Sequence, residues 1–358
     1  MKHFRVLHLD SSPTWRGGQR QVLLLAKGQR ARGHEPVVVA PRHSPLLKRA
    51  RDAGLAVTAV ALRAEYDVLS ARRLRARISA WRPHIVHAHD ARTHAIALIA
   101  LVGVPRAQLV VSRRVAFIPK SARLKYGPRV SAFIAVSGAV RQAMVSAGIE
   151  PHRIHVVHSG IELPEGTVEP CDWRSELHWP RDTVIAGIVG SMTAEKGLSD
   201  LPAIAAGMPA ETRDRIGLLL IGGSRAERVM SSGLRTHSTG FIENIAPAVA
   251  GLDVLWHPSR AEGLGTAVIE AMSLGVPPVA YAVGGIPEIV EDRVSGLLVA
   301  AGDVRAFARA AASIVSDVEL RNALGAAARR RASRFSADAM IDGTQHVYER
   351  LVGSEPGR

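Results

Sequence analysis

The chain has 358 residues, 47% of them hydrophobic and 22% charged, a globular balance in a length that suits two ordinary domains better than one core. Its net charge of +14 favours anionic partners, but aromatics at 4% with no nucleic-acid-reading motif argue against DNA or RNA and leave an anionic membrane surface or phosphorylated substrates. A lone Cys171 excludes a disulfide framework or a cysteine zinc site, and with no visible signal peptide and no apolar run longer than Ala95 to Val104, a cytoplasmic protein without a membrane span is expected.

Short β-branched runs alternate with amphipathic segments, which predicts βαβ units and parallel sheets. Phe4–Leu9 reads as a strand and Gly18–Arg32 as a helix ended by Gly33. Between them W-R-G-G-Q-R-Q places Gly17 and Gly18 at a helix N-terminus, where amides can hold a phosphate or let a substrate approach the backbone. Arg16 beside them is either an anion grip or a solvated side chain. Strands follow at Pro36–Ala40, Ala56–Val60 and Ile85–Ala88.

The last of these runs into R-P-H-I-V-H-A-H-D, where strand alternation puts His87 and His89 on one face. A zinc site needs a third close ligand, none is evident, and no metal is expected. His89 instead sits at the carboxyl end of a predicted parallel strand, the edge at which open α/β sheets bind ligands.

Leu109–Ser112 and Phe133–Val136 are predicted strands, and the basic stretch between them holds Arg113, Arg114, Lys120, Arg123 and Lys125. Such a stretch suits an anionic acceptor, a lipid surface or plain solvent. After a helix at Val140–Ala147 and a strand at Ile154–Val157, the segment from Gly160 to Asp182 carries Pro164, Gly166, Pro170 and Pro180 and reads as an interdomain linker.

Alternation restarts with a strand at Thr183–Val189, then V-G-S-M-T-A-E-K-G-L leads into a helix after Gly197. The strand Gly217–Ile221 ends on Gly222 and Gly223, either a tight turn or a place where a nucleotide meets the backbone. Strand Val254–Trp256, helix Thr266–Leu274, strands Pro278–Ala280 and Gly296–Val299, helices from Asp303 and Val318, and a last helix Ala337–Leu351 complete the pattern.

The most informative stretch is E-G-L-G-T-A-V-I-E, in which seven residues separate Glu262 from Glu270. That spacing is a little over two helical turns and puts both carboxylates on nearly one face. The amides of Gly265, Thr266 and Ala267 form a free helix N-terminus between them, a site for phosphate. Carboxylates accept strong bonds from vicinal hydroxyls, so the arrangement suits a nucleotide sugar. No D-x-D pair exists to hold a diphosphate through a divalent metal.

From Trp256 to Val290 this region resembles the donor-site signature of retaining glycosyltransferases of family 4, at Glu262, Glu270, Gly275, Pro277, Gly284, Gly285, Pro287 and Glu288. The resemblance implies a GT-B fold: two Rossmann-like domains, 1–162 and 183–335, a linker at 163–182, a cleft between the domains holding the active site, and a C-terminal helix within 336–358 that packs back on the first domain. It implies retaining transfer of a sugar from a nucleoside diphosphate sugar to an acceptor. The +14 charge and the basic cluster in the first half point to a lipid-linked, lipopolysaccharide or polysaccharide acceptor at the cytoplasmic face of a membrane. The missing D-x-D pair, with Lys196 beside a helix N-terminus, points to transfer without metal or other cofactor. Glu270 would bind the ribose, Glu262 the transferred sugar, and Lys196 with the Gly265 and Thr266 amides the diphosphate, near Gly222 and Gly223. Arg16, Gly17, Gly18, Arg113 and Arg114 would meet the acceptor, and His89 would lie near the transferred sugar. Ser191 stands where the family usually has an arginine, a departure that Arg225 or another arginine would have to offset. An epimerase of the same fold and a silent binding protein are the alternatives.

Overall fold

The computed structural model describes residues 3–104, 107–117, 125–223 and 233–353. They fall into two compact units, one built from 1–160 with 337–358 and the other from 161–336.

The N-terminal unit is a seven-stranded, fully parallel sheet: β1 (Arg5–Leu9), β2 (Glu35–Ala40), β3 (Ala56–Ala59), β4 (Ile85–Ala88), β5 (Gln108–Arg113), β6 (Ala132–Ala135) and β7 (Ile154–Val156). Spatial order is β3-β2-β1-β4-β5-β6-β7, so the order reverses between β1 and β4. Strands buried on both faces read as continuous apolar runs, which is why β1, β2 and β6 were plain in the sequence. Local chemistry sets the helix starts: Ser44 caps the Leu47 amide ahead of Pro45, and Asp67 caps Ser70 at the head of the helix Val68–Trp81.

The other unit is a six-stranded parallel sheet of β8 (Val184–Val189), β9 (Ile216–Ile221), β10 (Arg235–Gly240), β11 (Val254–His257), β12 (Pro278–Tyr281) and β13 (Leu297–Val299), ordered β10-β9-β8-β11-β12-β13. Its order reverses between β8 and β11. Trp256 and Tyr281 meet Phe307 edge-on at 6.0 and 5.3 Å in the core beneath. The edge strand β10 has no counterpart in the sequence reading, because R-T-H-S-T-G shows neither an apolar run nor clean alternation.

One boundary differs from expectation. The stretch 163–182 is not a free linker but part of the second unit. Trp173 is buried there and donates its indole N–H to the Ala248 carbonyl, while the Cys171 amide bonds Pro247. Its prolines and glycine signal only the lack of periodicity, and the packing of one tryptophan decides its membership. The helix Ala337–Gly353 returns to the first unit, where Met340, Ile341, Val347 and Tyr348 join Phe4, Val6 and Ile134 in one core. Gly28 makes room for it, since a Cβ there would lie 2.1 Å from Ile341 Cδ1. Among the described residues, no helix is long and apolar enough to cross a membrane.

Candidate functional site

In the second unit the residues singled out from the sequence collect at the carboxyl ends of β8 and β11, where strand order reverses, the position at which open α/β sheets bind ligands. Glu262 follows β11 and is anchored through one oxygen: Oε2 accepts from Lys196 Nζ at 2.8 Å and from His257 Nε2 at 3.1 Å. Burial pushes the Glu262 carboxyl up, but the His257 hydrogen bond and the Lys196 charge outweigh it and bring the pKa down to about 2. His257 is itself buried, which lowers its pKa against the pull of Glu262, so it donates as a neutral imidazole. Glu262 Oε1 has no partner among the described residues. A fixed, ionised carboxylate with one free oxygen is a hydroxyl acceptor of defined direction.

Close backbone packing positions this pair. Gly197 (φ +69°) lies against Pro258, where a Cβ would stand 1.9 Å from the carbonyl oxygen, and the Arg260 amide donates to Glu195 at 3.0 Å. These contacts pin the Lys196 turn to the segment leading to Glu262. On the other side Gly284 (φ +53°) passes the Glu262 carbonyl so closely that a Cβ would be 1.7 Å from it.

Gly265 (φ +101°) then starts the helix Thr266–Ser273, with Val268 and Ile269 bonding back to its carbonyl. The Thr266 and Ala267 amides therefore precede the first intrahelical bonds, and Glu270 lies within the helix. Gly222 and Gly223 are shaped by protein contact: a Cβ on them would lie 2.7 Å from the Gly190 oxygen and 2.9 Å from Met192. The turns after β8 and β9 thus touch each other. Arg225 lies outside the described residues.

The first unit repeats the logic at its own reversal point, between β1 and β4. Asp10 and Ser11 leave β1, and His89 and Asp90 leave β4. Asp90 caps the helix Ala91–Ala100 through the Arg92 and Thr93 amides and accepts from the Ser11 amide and hydroxyl. Gln19 donates to both Asp10 oxygens and accepts from the Arg16 amide, tying the head of the helix Gly17–Ala31 to β1. Burial, with the Asp90 charge, raises the Asp10 pKa. Gly18 leaves a Cβ-sized space 3.9 Å from the Arg114 side chain.

His89 is buried, and burial with the nearby His87 and Arg114 charges lowers its pKa well below the usual range. Its Nε2 meets His8 Nδ1 at 3.0 Å, and its Nδ1 meets Arg114 Nη2 at a long 3.4 Å. His8 is thus the third close histidine that was not evident from the sequence: His8, His87 and His89 bring nitrogens within 4.8 Å of one another. Two of the three are also engaged by other side chains: His8 Nε2 is on Gln29, and His87 is held by the Tyr348 hydroxyl at 2.6 Å and Ser112 at 2.8 Å.

The described part of the basic stretch is largely turned inward. Arg113 is buried, bonds the Tyr126 hydroxyl and the Phe117 carbonyl, and stacks 4.7 Å from the Phe117 ring. Arg114 turns toward His89, Lys125 pairs with Glu65, and Lys120 and Arg123 lie outside the described residues. Exposed basic residues next to exposed apolar ones occur on the helix Val68–Trp81, where Arg72 and Arg73 lie beside Tyr66 (62% exposed), Val68 and Leu69 (69% exposed). Sequence reading missed this face because four arginines in a helix look like solvated charge, and only packing shows three large apolar groups left outside next to them.

Two parallel sheets of this kind, with paired glutamates at the reversal point of one, define a GT-B glycosyltransferase. Residues 172–331 match the model for glycosyl transferases group 1, and residues 15–164 match that for glycosyltransferase family 4. A 2-deoxystreptamine N-acetyl-D-glucosaminyltransferase of Streptomyces fradiae is 32% identical over 77% of this chain and 73% of that protein. The chain belongs to this glycosyltransferase family. A D-inositol 3-phosphate glycosyltransferase of Streptomyces griseus is 29% identical over 56% of this chain, which spans only 49% of that relative. In fold the chain is similar to HepE of Anabaena in complex with UDP-glucose, at TM-score 0.84 and 21% identity over 97% of this chain and 100% of that one.

Proposed function

We propose that the chain transfers a sugar from a nucleoside diphosphate sugar, with UDP as the favoured nucleotide, to a hydroxyl acceptor with retention of configuration. One observation carries the donor assignment: Glu262 is held ionised with Oε1 free, directly ahead of a helix N-terminus and on the same run as Glu270. Glu262 Oε1 then accepts from the sugar, Glu270 from the ribose, and the Thr266 amide, the Gly265 turn and Lys196 face the diphosphate near Gly222 and Gly223. As the glycosidic bond loosens, charge develops on the leaving phosphate, where a lysine and a helix N-terminus stabilise it without a metal. HepE, crystallised with UDP-glucose, supports the choice of nucleotide.

The acceptor falls to the first unit, to Arg16, Gly17, Gly18, Arg114 and the edge carrying His89. A lipid-linked or polysaccharide-type acceptor is the first reading, supported by the exposed Tyr66, Leu69, Arg72 and Arg73 surface, which suits peripheral contact with an anionic leaflet. A small polyol is the second, favoured by the Streptomyces fradiae relative named for 2-deoxystreptamine.

The test is thermal stabilisation by UDP-, GDP- and ADP-sugars in EDTA, followed by NMR of the product anomer. Stabilisation follows ln(1 + [L]/Kd), so a bound donor is visible before any acceptor is known. An inverted product, or turnover lost in EDTA and restored by Mg²⁺, overturns the proposal.

A further inference from the structure

Beneath the edge assigned to the acceptor lies a buried run of side chains, and its proton positions follow from chemistry. Arginine only donates, so the Arg114 contact at 3.4 Å requires a bare Nδ1 on His89. Burial keeps His89 neutral, and its one proton is therefore on Nε2, pointing at His8 Nδ1 3.0 Å away. That makes His8 Nδ1 the acceptor. Burial, against the Gln29 hydrogen bond, lowers the His8 pKa to about 4, so His8 is neutral too and its proton sits on Nε2, donated to Gln29 Oε1 at 2.8 Å.

The order is self-consistent in one direction only: Arg114 to His89, His89 to His8, His8 to Gln29. Reversing any link would set two N–H groups against each other. Gln29 Nε2 has no hydrogen-bond partner among the described residues. Beside the run, Tyr348 bonds His87, which also bonds Ser112 and lies with its ring 4.0 Å from that of His89. The C-terminal helix, Ala337–Gly353, thus reaches the run through His87.

We propose that His8 and Gln29, backed by Tyr348 of the C-terminal helix, are positioning residues that hold His89 as the Nε2–H tautomer, so that its Nδ1 fixes the Arg114 guanidinium at the acceptor edge. This rests on the reading that places the acceptor at Arg114. The protein without an acceptor oxygen at position 29 releases His8 to carry its proton on Nδ1. That proton forces His89 to the Nδ1–H form, which meets Arg114 donor to donor. Neighbouring N–H dipoles polarise one another in a low-dielectric interior, so the effect travels along the run.

Gln29→Met keeps the volume and removes the oxygen, and Tyr348→Phe removes only the hydroxyl. Nitrogen-detected histidine NMR of the unsubstituted protein at pH 7 is expected to show His8 and His89 neutral and protonated on Nε2. Gln29→Met is expected to raise the acceptor KM about tenfold, the scale of a lost hydrogen bond to a charged group, with the donor KM unchanged. Tyr348→Phe is expected to move acceptor KM in the same sense by less.

His89 protonated on Nδ1, or His8, His87 and His89 signals that shift together with one equivalent of Zn²⁺, would overturn the network. An unchanged acceptor KM in Gln29→Met, or equal losses for donor and acceptor, overturns the positioning role. Arg114→Gln separates the two layers. If it leaves acceptor KM unaltered while the tautomers are as stated, the acceptor assignment has failed and the hydrogen-bonded run has not.

Discussion

At the scale of single residues, the two glutamates of the donor signature occupy different positions, Glu262 ahead of the helix Thr266–Ser273 and Glu270 within it, and so have different predicted effects. Glu262 is held through Oε2 by Lys196 and His257, with Oε1 left without a partner among the described residues. Glu262→Gln is expected to lower turnover far more than nucleotide affinity, because a contact to the sugar matters most as its bond to phosphate breaks. Glu270→Ala should weaken free nucleoside diphosphate itself by roughly ten- to a hundredfold, the scale of a charged hydrogen bond of about 1.5–3 kcal/mol. Calorimetric titration of both variants with the nucleoside diphosphate, alongside turnover, decides it: equal losses in the two variants would mean that the carboxylates share one role. Both glutamates were legible in the sequence, whereas His257 was not singled out, although it stands five residues before Glu262. Its signal was the strand end it occupies.

Among elements, the helix Val68–Trp81 separates burial from exposure cleanly. Ser70, Ala71, Leu74 and Ile78 are buried on one side, while Val68, Leu69, Arg72 and Arg73 face solvent. Tyr66 extends that face ahead of the Asp67 cap. Apposed arginines contribute on the order of 1 kcal/mol each near an anionic leaflet, and the apolar groups add an insertion term that salt does not screen. Co-sedimentation with phosphatidylglycerol vesicles should therefore fall when Arg72 and Arg73 are replaced by Glu, and fall again for Leu69→Asp. Binding equally strong to neutral vesicles, or unaffected by these changes, rules the surface out. The net charge drew attention to residues 113–125 because they adjoin a strand end, but Arg113 and Arg114 turn inward there and donate to acceptors on Tyr126, Phe117 and His89 that no local pattern reveals.

On the scale of the whole molecule, buried neutral histidines make the first unit acid-labile. Burial lowers His8 and His94 from 6.5 to about 4, and His87 and His89 well below the usual range. A lowered folded-state pKa means that the unfolded chain takes the proton first as pH drops below 6.5. Stability is then lost from pH 6.5 downward until the folded-state values near 4 are passed. At pH 5.5, His8 and His94 together account for a loss on the order of 3 kcal/mol. In the other unit Glu262, depressed from 4.5 to about 2, contributes stability above pH 4.5 that is lost as pH falls toward 2. Hydrogen exchange between pH 7 and 5 should accordingly show protection failing in β1 and β4 before β8 and β11. Loss in the reverse order would contradict the histidine assignment.

Chain-local information determined much of this protein: apolar runs and glycine turns marked two parallel sheets, and the spacing of Glu262 and Glu270 around Gly265 marked the donor site proposed here. These features depend on periodicities of a few residues, which a sequence displays directly. Register and docking were decided by tertiary structure alone. His8 meets His89 from 81 positions away and Tyr348 meets His87 from 261, and nothing in either local sequence specifies its partner. Whether Trp173 belonged to a linker or a core, and whether Arg113 faced solvent or Phe117, likewise depended on which buried surfaces closed over them. Burial is a property of the folded whole, and it fixes both the charge state of those histidines and the direction in which each side chain points.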